Sequence, residues 1–197
     1  MNKHLHTISA VNLRRASEIV EKLKIFKIWE SIGAKANIVG SLRTGLMMTH
    51  RDIDFHIYSE NFKIEDSFRA AAELAKTRGV KSLQYANLLD SPDACLEWHA
   101  VYEDPEQKDI WPIDMIHILK GSRYDGYFEN VADRILAVLT AETREAILQI
   151  KWDTPADEKI PAILIYKAVI KDGVRTWSEF AAWRKLQPHD SIIEWMP

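Results

Sequence analysis

Residues 52–59, Asp-Ile-Asp-Phe-His-Ile-Tyr-Ser, alternate strictly between polar and apolar side chains, the two-residue period of a strand with one buried face. The alternation places Asp52, Asp54, His56 and Tyr58 on the other face. Aspartate is depleted in strands because its short side chain competes for nearby backbone groups, so a pair of them here opposes local propensity. Something other than strand formation must favour them.

The flanking sequence supplies the rest of a mixed architecture. From Ser9 to about Gly33, apolar residues including Leu13, Ala16, Ile19, Val20 and Leu23 recur at three-to-four spacing, which predicts one amphipathic helix ended by Gly33. "ANIVG" reads as a short strand, and "SLRTGLMMTHR" as a turn with about one helical turn. Lys63–Arg78 reads as a second helix, with Phe68, Ala71, Ala72 and Ala75 inward and Gly79 as its stop. Three strand candidates follow, "VKSLQYANLL", "ACLEWHAVYED" and "IWPIDMIHILK". Beyond "GSRYDGY" only helical patterns remain: Asn130–Leu139, Ala141 to about Trp152, Glu158–Lys171, and Trp177–Leu186 behind a Thr176–Glu179 capping box. The expected fold is α+β, a mixed sheet of about five strands backed by helices, with a C-terminal helical part closing one side of a cleft. The expected division is residues 1–127 and 128–197.

Composition narrows the function classes. With 197 residues, 47% apolar and 28% charged, and neither repeats nor low-complexity runs, the chain is globular. Its apolar run "IPAILIY" is far short of the ~20 residues that span a bilayer, and its start lacks a signal-peptide apolar region, so a cytoplasmic protein without a membrane partner is expected. The single cysteine, Cys95, lies in a strand pattern and reads as an inert buried thiol. A net charge of −3 and a pI near 6.2 argue against broad nucleic-acid binding and against a strand-tracking polymerase, both of which need a basic surface.

Residues two apart on a strand stand about 6.5–7 Å apart on the same face, so Asp52 and Asp54 reach toward a shared point. Their repulsion is relieved by a divalent cation, and an all-oxygen ligand set suits magnesium together with phosphate. Gly40-Ser41, eleven residues upstream, provides backbone amides that a phosphate can approach and a hydroxyl donor. Asp114 in "WPIDMIHI" is again an acid against propensity and completes a two-metal set, with Glu97 as its rival. In the alternation of its strand, Glu97 and His99 face outward to solvent while Leu96, Trp98 and Ala100 face the core. Arg43, His50 and Arg51 flank the phosphate position, and Lys167 is a weaker candidate. His56 and His117 read as surface or satisfied histidines, and Trp29, Trp98, Trp152, Trp177 and Trp183 as core.

"IVGS", then "DIDFHIYS", then a further strand aspartate together resemble the DNA polymerase beta-like nucleotidyltransferase superfamily over about Ala36–Leu119. The pentapeptide His50–Asp54, "HRDID", is similar to the small antibiotic-modifying nucleotidyltransferases of aminoglycoside and lincosamide type. The resemblance implies that Gly40 and Ser41 hold nucleotide phosphates; Arg43 and Arg51, from their sequence position beside them, are expected to bind the nucleotide as well. It implies that Asp52 and Asp54 bind both Mg2+ ions and that Asp114 binds one beside the attacking hydroxyl. The expected reaction moves a nucleoside monophosphate from a nucleoside triphosphate to a hydroxyl of a small acceptor, with pyrophosphate released. The alternatives are a non-catalytic or antitoxin-like nucleotide-binding member of the same fold, and an unrelated α+β domain. Acceptor-binding loops are expected between Tyr85 and Asp109 and in the C-terminal helices.

Overall fold

A computed structural model describes residues 3–187 and 193–197. The N-terminal helical region comprises α1 (Lys3–Leu23) and α2 (Ile25–Glu30), separated by Lys24 in the left-handed conformation at φ 53°. The single helix expected from Ser9 is therefore two, and the first begins at Lys3. A left-handed residue breaks the i→i−4 ladder and redirects the chain, and beyond the break Ile25 and Trp29 are buried in the sheet core. Gly33, at φ 74°, turns the chain into β1 (Ala34–Ile38).

Gly40 opens α3 (Gly40–Thr44) rather than closing the first strand, and Gly45 at φ 68° stops that helix within five residues. The chain then enters β2 (Ile53–Ser59), followed by α4 (Ile64–Ala75), β3 (Val80–Asn87), β4 (Cys95–Glu103) and β5 (Ile110–Ile118). The sheet order is β1-β2-β5-β4-β3. Only β2 and β5 run parallel; the other neighbours are antiparallel. The parallel pair needs a long connection, and α4, β3 and β4 supply it.

One face of the sheet is apolar. Phe55 and Ile57 of β2, Ile113 and Met115 of β5, and Trp98 and Ala100 of β4 pack with Trp29, Ile19 and Leu74 from the helices. Phe68, expected inward, is 45% exposed and packs on Tyr85 and Trp98 at 4.7 and 4.9 Å between ring centres, because it lies at the sheet edge where β3 leaves it uncovered. Gly79 stands beyond the end of α4 and serves close approach instead: a Cβ there would meet the Glu103 carbonyl and the Tyr102 ring, each at 2.6 Å.

The C-terminal helices are α5 (Tyr127–Val138), α6 (Ala141–Asp153), α7 (Ala162–Ile170) and α8 (Trp177–Arg184). Thr140 caps α6 and the Thr176–Glu179 box caps α8. α7 is shorter than the expected Glu158–Lys171 because Pro161 stands at its N-cap, where a missing N–H costs nothing. These helices share a second core built on Ile135, Ile147, Ile165, Tyr166 and Phe180, which also takes in Leu5, Leu46 and Met48. Trp177 and Trp183 pack against it, whereas Trp152 is 42% exposed beside His4.

A charged cluster fixes α1 to the β4–β5 turn. Arg15 reaches the fully buried Asp104 at 2.7 Å and Asp109 at 3.2 Å, and Lys22 reaches Asp104 at 3.0 Å. Asp104 also accepts from the backbone N–H groups of Glu106 and Gln107. Its carboxyl is buried, which alone would raise its pKa, but Arg15 and Lys22 outweigh burial and hold it well below the ordinary range. Among the described residues no helix is long and apolar enough to cross a membrane.

Candidate active site

The parallel β2–β5 register pairs Asp54 with Asp114, and the antiparallel β5–β4 register pairs Asp114 with His99. Three side chains thus lie level across adjacent strands on the face opposite the apolar core. Asp52, two residues before Asp54, stands at the entry to the strand on the same side. The carboxylates sense one another. Burial first, then Asp114, then Asp52 push the Asp54 pKa up to about 7, and burial followed by Asp114 raises that of Asp52.

The loop after β1 closes on this group. The Val39 backbone N–H donates to the Asp54 carbonyl at 3.0 Å, and Gly40 follows at φ 62°. A Cβ on Gly40 would stand 2.0 Å from Asp54 Oδ2. Glycine is required there twice, by conformation and by contact. Ser41 is the second residue of α3 and is buried beneath the same turn.

Asp114 is not solitary. Its Oδ1 lies 2.7 Å from His99 Nδ1, and His99 Nε2 lies 3.4 Å from Glu97 Oε2. Burial lowers the imidazole pKa, but the bonds to Asp114 and then Glu97 outweigh it and leave it above the ordinary value. His99 was expected to be merely solvated; the register makes it the cross-strand neighbour of an acid. Glu97, the rival third acid, pairs with Ile116 and bonds His99 instead of standing level with Asp54.

The flanking arginines are engaged by other partners. Arg43 bonds Asp133 of α5 at 2.6 Å and the Ile38 carbonyl. Arg51 stacks over the Trp111 ring at 4.8 Å and approaches Asp109 at 4.0 Å, on the apolar-core side. Lys167 donates to Gln187. His56 approaches Glu129 at 3.7 Å, and His117 is wholly buried against Trp29 and Phe62 with its Nε2 2.9 Å from Ser59 Oγ. Cys95 is buried, and burial pushes its thiol up to about 12.

Two cations not singled out in the sequence come from α6. Lys151 donates to the Leu46 carbonyl at 2.8 Å and to Tyr166 Oη at 3.1 Å, and Arg144 donates to the Gly45 carbonyl at 2.8 Å. Both bond the turn after α3 through neutral oxygens, and among the described residues neither forms an ion pair with a carboxylate. Lys151 also lowers the pKa values of Asp52 and Asp54. Nothing in their helical periodicity distinguishes them from solvated lysines and arginines. A cavity of about 250 Å3 opens beside Gly40 and Asp54, walled by Tyr127, Phe128, Ile135, Ile163, Tyr166 and Trp195.

The donor set fits magnesium in its chemistry. It consists of carboxylate oxygens, and among the described residues Asp52 and Asp54 have no ion pair or side-chain hydrogen bond to hold their charges. Among the described residues no three acid, histidine or cysteine side chains converge closely enough to hold a metal ion as they stand, and Asp114 is bonded to His99.

No family model and no curated protein matches the sequence. Solved structures do. A cytoplasmic RNA terminal U-transferase superposes with a TM-score of 0.53 at 11% identity over 84% of this chain and 50% of its own. The non-canonical poly(A) polymerase of the GLD-2–GLD-3 complex gives 0.54 at 12% identity, over 84% and 55%. A mutant poly(U) polymerase bound to MgATP gives 0.59 at 10% identity, over 85% and 54%. The chain shares its fold with these nucleotidyltransferases. Likeness at this identity carries the nucleotidyltransferase fold alone, and the chain spans about half the length of these structures. The antibiotic-modifying subgroup finds no support among these matches.

Proposed function

We propose that this chain is a Mg2+-dependent nucleotidyltransferase that moves a nucleoside monophosphate from a nucleoside triphosphate to a hydroxyl of a small acceptor. The observation that carries this reading is the level placement of Asp54 and Asp114 on neighbouring parallel strands, directly beneath Gly40 and beside a cavity. Asp52, Asp54 and Asp114 would hold magnesium, which supplies Lewis acidity at the phosphoryl and acceptor oxygens.

The residues of the chain divide the remaining tasks. Gly40 and Ser41 offer a backbone turn that a phosphate can approach closely. Lys151 and Arg144, already fixed on the Gly45–Leu46 turn, place positive charge for the triphosphate. Arg43 and Arg51 serve chiefly to tie α3 to α5 and the start of β2 to Trp111. Tyr127, Phe128, Tyr166 and Trp195 give the cavity flat apolar walls that suit a nucleobase.

With Oδ1 engaged by His99, Asp114 keeps Oδ2 to orient the acceptor hydroxyl and take its proton. The acceptor oxygen forms a bond to the α-phosphorus as the bond to the bridging oxygen breaks, and that electron pair leaves with pyrophosphate. The surface beside the acids favours a small acceptor over RNA. Level with the acids, β4 and β3 present His99 and Gln84, with Glu97 alongside, and these offer no lysine or arginine to track a polyphosphate backbone.

The test is transfer of labelled nucleotide to a panel of hydroxylated small molecules, run with Asp54→Asn and Asp114→Asn controls. Magnesium-dependent product that both substitutions abolish supports the reading. Absence of transfer together with a magnesium-dependent melting shift from nucleotide points instead to a nucleotide-binding member that does not catalyse.

A further inference from the structure

Asp52, Asp54 and Asp114 share one sheet face but differ in how they are held. The side chains of Asp52 and Asp54 have neither hydrogen bond nor ion pair among the described residues, whereas Asp114 is gripped from its flank. The grip is built by strand register: Asp114 faces His99 directly across β5 and β4, and alternation puts Glu97 on the same face two residues away. The contacts run in sequence, Glu97 Oε2 to His99 Nε2 at 3.4 Å and His99 Nδ1 to Asp114 Oδ1 at 2.7 Å.

We propose that His99, steadied by Glu97, is a positioning residue that fixes the Asp114 carboxylate so that one oxygen is committed sideways and the other faces Asp54. This rests on the transferase reading above. An aspartate on a half-exposed strand rotates about two side-chain bonds, and repulsion from Asp54 would turn a free Asp114 away from the shared point. A donor on the far side opposes that rotation. Carboxylate ligands of cations are commonly held this way, and loss of such an outer partner costs about 10- to 100-fold in metal affinity or activity.

His99 is itself 43% exposed at its side chain and belongs to neither core, so its removal is expected to leave the fold intact, which the melting temperature checks. Mn2+ binding to the full chain, followed by electron paramagnetic resonance of the free ion with and without a nucleoside triphosphate, gives a readout independent of turnover. His99→Leu is expected to weaken Mn2+ binding by roughly 10-fold or more. His99→Asn, whose Nδ2 can stand where Nδ1 does and donate to Asp114, recovers most of it. The double variant His99→Leu/Asp114→Asn binds no more weakly than Asp114→Asn alone, because both changes remove the same ligand.

Wild-type affinity in His99→Leu overturns the proposal, as does a penalty that adds in full to that of Asp114→Asn. An equal loss in His99→Asn and His99→Leu also overturns it, since the donor then does not matter. If the wild-type chain takes up no Mn2+ under either condition, the transferase reading fails and this assignment falls with it. That outcome is distinct from wild-type binding with an indifferent His99.

Discussion

Gly40 and Asp54 are in such close contact that a single methyl group on Gly40 would lie 2.0 Å from Asp54 Oδ2. Gly40→Ala is therefore a probe of the site as well as of the backbone. It should displace the Asp54 carboxylate and abolish the melting-temperature rise produced by magnesium and nucleotide. The left-handed conformation at φ 62° adds a stability cost of about 1–2 kcal/mol. A folded Gly40→Ala protein that responds to magnesium and nucleotide like wild type would show that this contact is dispensable.

Asp54→Asn keeps the shape and removes one of three like charges. Without metal its melting temperature should equal or exceed that of wild type, because repulsion with Asp52 and Asp114 is relieved. Nucleotide transfer should fall by at least about 10²-fold. A variant that melts several degrees lower in chelator, yet answers metal and nucleotide normally, would make Asp54 a scaffold residue.

The same carboxyl predicts a pH dependence with a definite sign. It titrates near 7 in the fold, and at about 3.9 in an unfolded chain. Between those values the folded state binds the extra proton, so its contribution to stability is full below pH ~4 and is lost as pH rises to about 7. Melting curves in chelator from pH 4 to 8 should show this decline in the difference between wild type and Asp54→Asn. A difference that stays flat or runs the other way contradicts it.

His117 should act in the opposite direction. Burial between Trp29 and Phe62 lowers its pKa to about 4 from an ordinary 6.5. The unfolded state binds the additional proton in that window, so stability is lost as pH falls from about 6.5 toward 4. His117→Gln should flatten the acid limb of the melting profile, whatever its effect at pH 8. An unchanged acid limb would assign acid sensitivity to other groups.

Lys151 and Arg43 separate two accounts of triphosphate binding. Lys151→Met should raise the KM for nucleotide by roughly 10-fold or more, in line with loss of a charge-assisted contact. Arg43→Met should leave KM nearly unchanged and lower stability modestly, because it breaks the contact with Asp133 of α5. The reverse pattern in steady-state kinetics would return the phosphate role to Arg43.

Much of this architecture was legible because period and punctuation are local. The alternation of 52–59 and of the three later strands, and the capping box at Thr176, each depend on residues within one element. What escaped depends on contacts between elements. Lys24 looks like any other helical lysine, and its left-handed turn becomes necessary only when Ile25 and Trp29 must reach the sheet. Arg43 and Arg51 were adjacent to the acids in the chain, yet Asp133 and Trp111, remote in sequence, claim them. Lys151, about a hundred residues further on, bonds the turn at the Leu46 carbonyl. The role of Gly40 was visible as a missing side chain; that it accommodates Asp54 was not.

The parallel alignment of β2 with β5 also sets an order of events during synthesis. When residues 1–109 have emerged, β1–β2 and β3–β4 can each form as an antiparallel pair, but they share no edge, because the strand that lies between them is not yet made. β5 is last in sequence and central in space, so its arrival joins two half-sheets and brings Asp114 to Asp54 in the same step. Closing the long β2-to-β5 connection is an entropic barrier that local hairpins do not face. Asp114 therefore reaches Asp54 only when β5 joins the sheet, and a nascent or nicked molecule that lacks β5 has the Asp52–Asp54 pair without its third acid.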